Sequence, residues 1–382
     1  MSPAHVAPLQ AMLDEGVSTG VFPTARAHIW VDGHVAFEGG AGSAGEAAIY
    51  DLASLTKVMH TTACFLALWG EGLLSPSTPL RRFFPGTPAD EAGVTLGDLL
   101  YHRSGLPAWQ PFFVGALERW PMLLQSNCDK HIREEARSAV VDAVLGEPPQ
   151  AQVGQRAVYS DLGFIILGEV LTMVTGQSTQ ALFESRVRNR LGLGACFRPL
   201  TEFQSAEGIL PTGHVRPRPP APGQLHRWAR LPTVPSRAGE VDDDNCWVMD
   251  GLAGHAGLFG TAQDVARFGQ ACLEELNGAG RIAPAVLWEK AVRADRSIPG
   301  STRGMGFDTP SPQGSSAGRY VGLLPPGAFG HVGFTGVSLW VDRARKLVVA
   351  LCTNRTAEGR ADVRIQSFRP RFHDLAVELL AR

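Results

Sequence analysis

The sequence predicts an α+β sandwich: an antiparallel sheet built from both chain ends, flanked by helices, with a helical insertion between. Three observations predict it. Alternating apolar runs lie near the N-terminus ("ARAHIWVDGHVAFEGG") and near the C-terminus ("VSLWVDRARKLVVALCTN"). Between about residue 61 and about residue 200 the periodicity is mainly helical. Strands at both ends with helices between them close most simply into one sheet with an insertion. On this reading residues 1–60 and 255–382 form a discontinuous sheet domain, and residues 61–254 a mainly helical one.

Taken in order, residues 5–18 carry the period of an amphipathic helix. Asp32-Gly33 between apolar runs predicts a hairpin. Leu55, Val58, Met59, Thr62, Leu66 and Trp69 mark one face of a helix that Gly70 and Gly72 end. "HIREEARSAVVDAVLG", "LGFIILGEVLTMVTG" and "TQALFESRVRNRLGLG" are helical runs that end in glycine. Residues 211–236 hold too many prolines for regular structure and read as a long surface loop. "SIPGSTRGMGFDTPSPQGSSAGR" is a second loop, with the helix "TAQDVARFGQACLEEL" between the two. The charged turn "RARK" joins two terminal strands, and "RFHDLAVELLA" is a closing helix.

Composition narrows the function classes. A formal net charge of -2 is wrong for a nucleic-acid platform. No run approaches a membrane-spanning length. The N-terminal stretch lacks a basic head followed by an apolar core, which gives an expectation of a cytoplasmic protein. The six cysteines are scattered and read as core thiols, and the histidines show no metal-ligand spacing. Neither a metal nor a cofactor is expected.

The chemistry is expected in "DLASLTKVMH". Alone, Ser54 reads as a helix cap and Lys57 as a snorkelling lysine. Residues three apart on a helix nevertheless share a face. An amine in the first turn is disfavoured as a cation by the helix dipole and by burial. A neutral amine beside a hydroxyl is the arrangement that activates a serine. Lysine occurs at only four positions (Lys57, Lys130, Lys290 and Lys346), so nearly all of the 35 basic residues are arginine. Arginine cannot act as a base. In "VYSDLGF", Tyr159 precedes a helix that Ser160 or Asp161 can cap; it is either a packing aromatic or a phenol of lowered pKa that shuttles protons. In "FGHVGFTGVSLWVD", glycines crowd a strand start led by His331, as at a bulged edge strand or where a ligand approaches closely.

The ordered set Ser54-Leu55-Thr56-Lys57, Tyr159-Ser160-Asp161 and His331-Val332-Gly333 resembles the S-x-x-K, Tyr/Ser and K-T-G signature of the serine β-lactamase and penicillin-binding-protein superfamily. The tyrosine resembles the class C branch, which includes esterases and D-amino acid peptidases. "GVTLGDLLYHRSGLP" and "GLAGHAGLFGTAQDVARFG" resemble that branch as well. The resemblance implies Ser54 as acylated nucleophile and Lys57 with Tyr159 as the proton-handling pair. It implies the N–H groups of Ser54 and Phe334 as the oxyanion hole, and His331, Gly333 and Asp161 as substrate-binding positions. His331 would hydrogen-bond towards Tyr159 or a substrate carboxylate. Trp109 either walls an apolar acyl pocket or belongs to a buried segment.

Two departures bear on the substrate. Asp161 stands where the family often has asparagine; a carboxylate does not donate, and it would hold Lys57 protonated. His331 replaces a lysine and loses its charge near neutrality. Both favour a neutral ester over a β-lactam or peptide carboxylate. Asp242 stands where relatives often carry histidine, and no role follows for it. The expectation is thus a serine hydrolase for a small ester, lactam or amide, with a β-lactamase, a D-amino acid peptidase, an acyltransferase and a non-catalytic binding module as the other readings. Ser43 in "AGSAG" reads as turn chemistry.

Overall fold

The computed structural model describes residues 3–202, 206–220 and 227–381 of the 382-residue chain. A hairpin starts the sheet. β1 (Ala25–Val31) and β2 (His34–Ala41) meet at Asp32 and Gly33, both in the left-handed region at φ 49° and 80°. Such a turn matches the strand twist. The C-terminal part adds β3 (Ala328–Val332), β4 (Ser338–Asp342) and β5 (Leu347–Thr353). The strand order is β2-β1-β5-β4-β3, and every pairing is antiparallel. β1 pairs β5 from Ala25↔Thr353 to Val31↔Leu347, so the two ends of the chain are joined at the centre of the sheet.

The sheet is covered on both faces. On one side pack α1 (Pro3–Ser18) and a C-terminal helix that starts at Ile365. Leu347, Val349 and Leu351 of β5 point into that layer. Val348, Ala350 and Cys352 point the other way, into the core shared with the long helix Ala262–Leu276 and the helical region. The period of two thus places β5 between two apolar layers.

Three elements depart from the sequence reading. The C-terminal helix begins at Ile365, ahead of the expected start at Arg371, with Pro370 inside it. A proline there cannot donate to the Gln366 carbonyl, and Gln366 is exposed. The expected surface loop 211–236 is not wholly superficial: Arg216 and Arg218 are buried, and Val215–Arg216 pairs with Val234–Pro235. The reason is electrostatic. Asp244 accepts from Arg216 at 2.9 Å and Asp242 from Arg218 at 3.2 Å, which draws the segment inward. Residues 221–226 of that loop lie outside the described residues. The helix after Ser54 is buried on every side from Lys57 to Leu68 rather than along one stripe.

Candidate active site

The nucleophile turn is built by Asp51. Its carboxylate accepts the Ala53 N–H at 2.8 Å and the Asp242 N–H at 2.6 Å. This holds Ala53 at φ 46°, a strained setting for a residue with a Cβ. Ser54 emerges from the turn, half-buried, at the wall of a cavity of about 870 Å³. Its hydroxyl does not cap the helix, contrary to the simplest sequence reading; it accepts from Lys57 Nζ at 3.0 Å. From Lys57 to Thr62 the backbone winds in the wider π form, a distortion common at functional sites.

Lys57 does not snorkel, being fully buried. Its ammonium donates to Asp161 at 2.7 Å and to the His255 carbonyl at 3.2 Å. Burial pushes its pKa down, but Asp161 and Tyr159 outweigh this, and the net direction is upward. The resting amine is therefore a cation, as Asp161 led one to expect, and not the neutral base of a plain serine–lysine pair.

Tyr159 lies over this group, with Lys57 Nζ 4.8 Å from its ring centroid. Burial pushes the phenol upward, against the pull of Lys57 and Ser54. The sequence reading of a lowered phenol pKa is thus corrected, because desolvation of a phenolate outweighs one nearby cation. Ser160 caps the helix α2 (Asp161–Thr175), accepting from Gly163 N, and donates to the Pro107 carbonyl at 2.6 Å. His102 supports the phenol from behind: its ring lies 4.7 Å from that of Tyr159, and its Nδ1 accepts the Ser160 N–H at 3.0 Å.

His331 sits on the edge strand β3, buried at 2% exposure, and lines the cavity. Of the two partners expected for it, Tyr159 and a substrate carboxylate, Tyr159 is not hydrogen-bonded to it. The rings meet at 5.7 Å and a tilt of 36°, and among the described residues neither His331 nitrogen has a hydrogen-bond partner. Burial, with Lys57 and Arg303 behind it, holds the imidazole well below its ordinary pKa, so it is neutral. Gly333 is needed where it stands: a Cβ there would lie 2.4 Å from Val337 Cγ2 and 3.0 Å from the Leu52 carbonyl. Only a bare backbone lets this strand end dock on the nucleophile turn. A Thr335 hydroxyl donating to the Asp51 carbonyl at 2.8 Å fastens the same contact.

Ser54 and Phe334 line the cavity, and among the described residues the N–H of neither donates to a protein acceptor. Trp109 lines the cavity too, at 37% exposure and 5.9 Å from the Trp228 ring, and so is not part of a buried segment. Ser54, Tyr159, Asp161, His331, Gly333, Phe334 and Trp109 therefore share one cavity, with Lys57 beneath it.

Sequence reasoning missed the arginines. Arg303 places its guanidinium 5.1 Å from the Tyr159 ring and pairs with Asp308 at 3.1 Å. It lies in a stretch read only as a loop, and no local pattern marks it. Arg355, Arg360 and Arg369 also line the cavity. Asp242 pairs with Arg218 and Arg360, and Asp243 accepts from His255 Nε2 at 2.9 Å.

The sequence profile of the Beta-lactamase family matches residues 9–367. The chain belongs to that family. It is 26% identical over 323 residues to a Salmonella paratyphi A protein with the provisional name D-alanyl-D-alanine carboxypeptidase, covering 80% of this chain and 69% of that one. Among solved structures, a D-amino acid amidase from Ochrobactrum anthropi SV3 superposes with a TM-score of 0.69 at 18% identity, covering 99% of both chains. EstCE1, described as a hydrolase with promiscuous acyltransferase activity, superposes at 0.67 and 19% identity, covering 96% of this chain and 98% of that one. Family membership makes the chain a hydrolase of the serine β-lactamase and DD-peptidase type.

Proposed function

We propose that this chain cleaves small carboxylic esters through an acyl-enzyme on Ser54. The observation that carries the reading is the convergence at one cavity of a serine hydroxyl, a lysine amine 3.0 Å from it, a half-buried phenol and two backbone N–H groups that, among the described residues, donate to no protein acceptor. Ser54 Oγ attacks the carbonyl, and the oxyanion settles between the N–H groups of Ser54 and Phe334. Each such donor contributes roughly 2.7–4 kcal/mol to the transition state. Once the Lys57–Tyr159 pair has lost one proton, it takes the proton of Ser54 and returns it to the leaving alkoxide; the two groups titrate as a unit. Water then attacks the acyl carbon and frees Ser54.

Ester preference is supported by the neutral His331, which offers no fixed charge to a substrate carboxylate, and by the apolar Trp109–Trp228 wall. A second reading, a D-amino acid amidase or peptidase, draws on Arg303, which supplies a cation beside Tyr159, and on the names of the carboxypeptidase and amidase relatives.

The test is a parallel assay of short and long p-nitrophenyl esters, a chromogenic cephalosporin, a D-Ala-D-Ala peptide and D-phenylalaninamide. It is paired with mass spectrometry of a fluorophosphonate adduct. Esters are expected to turn over best, with the adduct on Ser54 and none in Ser54→Ala. Equal or faster lactam or amide turnover overturns the ester preference, and labelling that persists in Ser54→Ala overturns the mechanism.

A further inference from the structure

Arg369, on the C-terminal helix α3 (Ile365–Leu380), is buried at 7% exposure against the rear of the cavity. Its Nη1 donates to two backbone carbonyls, Gly333 at 3.1 Å and Val337 at 3.0 Å. Among the described residues its Nε has no partner and no carboxylate pairs with it. Burial, and then Arg355, push its guanidinium down to about 10, still charged at neutrality. Arginine is rarely buried without a carboxylate, because desolvating the cation is costly. Here the charge is directed at a peptide group.

That peptide group matters. The Gly333 carbonyl and the Phe334 N–H belong to one planar amide. A cation on the carbonyl oxygen draws electron density through the amide and makes the N–H a stronger donor. The second carbonyl, of Val337, also accepts the Gly333 N–H at 2.8 Å, so Arg369 ties together both ends of the 333–337 turn. From the other side, Arg355 Nε donates to the Phe334 carbonyl at 2.7 Å. The Phe334 N–H thus sits in a turn whose carbonyls are held by two guanidinium groups.

We propose that Arg369 is a positioning residue that orients and polarises the Gly333–Phe334 amide, so that the Phe334 N–H binds the developing oxyanion. This rests on the acyl-enzyme reading above. It separates Arg369 from a substrate-binding role, since the donors of its Nη1 are spent on two backbone carbonyls rather than aimed at the substrate.

The test compares the parent with Arg369→Gln, which keeps N–H donors and removes the charge. With a neutral p-nitrophenyl ester, kcat is expected to fall about tenfold or more while KM stays within about threefold, a part of the loss caused by deleting a whole oxyanion donor. The Ki of phenylboronic acid, whose adduct on serine is a tetrahedral anion, should rise by a similar factor. The infrared carbonyl stretch of the acyl-enzyme should move to higher wavenumber. A raised KM with unchanged kcat would mark Arg369 as a substrate contact and overturn the proposal. So would a lowered melting temperature with Ki and the carbonyl stretch unmoved, which is a purely structural role.

If the glutamine protein does not fold, Arg369→Lys replaces it. A buried lysine beside Arg355 loses its charge as pH rises, and the carbonyl stretch should rise with it; a stretch fixed at the parent's position across the alkaline range overturns the proposal. A parent that is never acylated on Ser54 defeats the acyl-enzyme reading and this inference together. A parent that is acylated, with variants that match it, defeats this inference alone.

Discussion

Replacing Asp161 by asparagine tests the electrostatics of the site most directly. Asp161 Oδ1 lies 2.7 Å from Lys57 Nζ, with the carboxylate 17% exposed and the amine fully buried. At that separation, with an effective dielectric constant of about 20, two unit charges attract by about 6 kcal/mol. Solvent at the partly exposed carboxylate reduces this. Even a quarter of it exceeds the 1.36 kcal/mol that corresponds to tenfold in a proton equilibrium. The carboxylate raises the pKa of Lys57 and that of Tyr159 alike. Removing it lets both release a proton at lower pH, so the sign does not depend on which of them is the base. The acidic limb of kcat/KM for Asp161→Asn should therefore move to lower pH by about one unit or more, and the rate on that limb should rise about tenfold. The assay is the pH profile of p-nitrophenyl ester hydrolysis for parent and variant. A limb that stays in place, or moves to higher pH, refutes the reasoning.

Three further predictions concern the scaffold and the pocket. Gly333→Ala should lower stability by about 1–3 kcal/mol and slow acylation, because the new methyl overlaps Val337 and crowds Leu52; urea unfolding and adduct formation would check this, and parent-like values for both would contradict the docking geometry. Trp109→Ala should reduce kcat/KM for long-chain or aromatic esters by about tenfold while the acetyl ester changes far less; equal losses across chain lengths would remove Trp109 from the acyl wall. Burial lifts the Asp51 carboxyl to about 7, whereas the unfolded group titrates near about 4. The folded state then binds an extra proton between those values, so stability should fall as pH rises through that window and level off above it. Urea midpoints across that range should show the slope in the parent and a flatter one in Asp51→Asn; identical slopes would refute the assignment.

Much was legible in the chain itself. The hairpin at Asp32-Gly33 and the terminal strand pair follow from local alternation and turn chemistry, which depend on neighbouring residues. The Ser54–Lys57 spacing puts the two groups together because a helical turn fixes residues three apart; of the two capping residues the sequence allowed, Ser160 and Asp161, Ser160 is the cap. Asp161 led to a protonated Lys57 because a carboxylate in contact with an amine favours its cation, and here Asp161 and Tyr159 together outweigh burial.

Tertiary structure decided what depends on burial and on distant neighbours. Desolvation reversed the direction expected for the Tyr159 phenol and left His331 neutral, and among the described residues neither His331 nitrogen finds a hydrogen-bond partner. Neither result can be read from a sequence, because the depth of a side chain is a property of the packed molecule. Arg303 and Arg369 reached the cavity from a loop and from a helix that begins before its proline. An arginine becomes informative only when the fold shows whether a carboxylate, a peptide carbonyl or water stands opposite it.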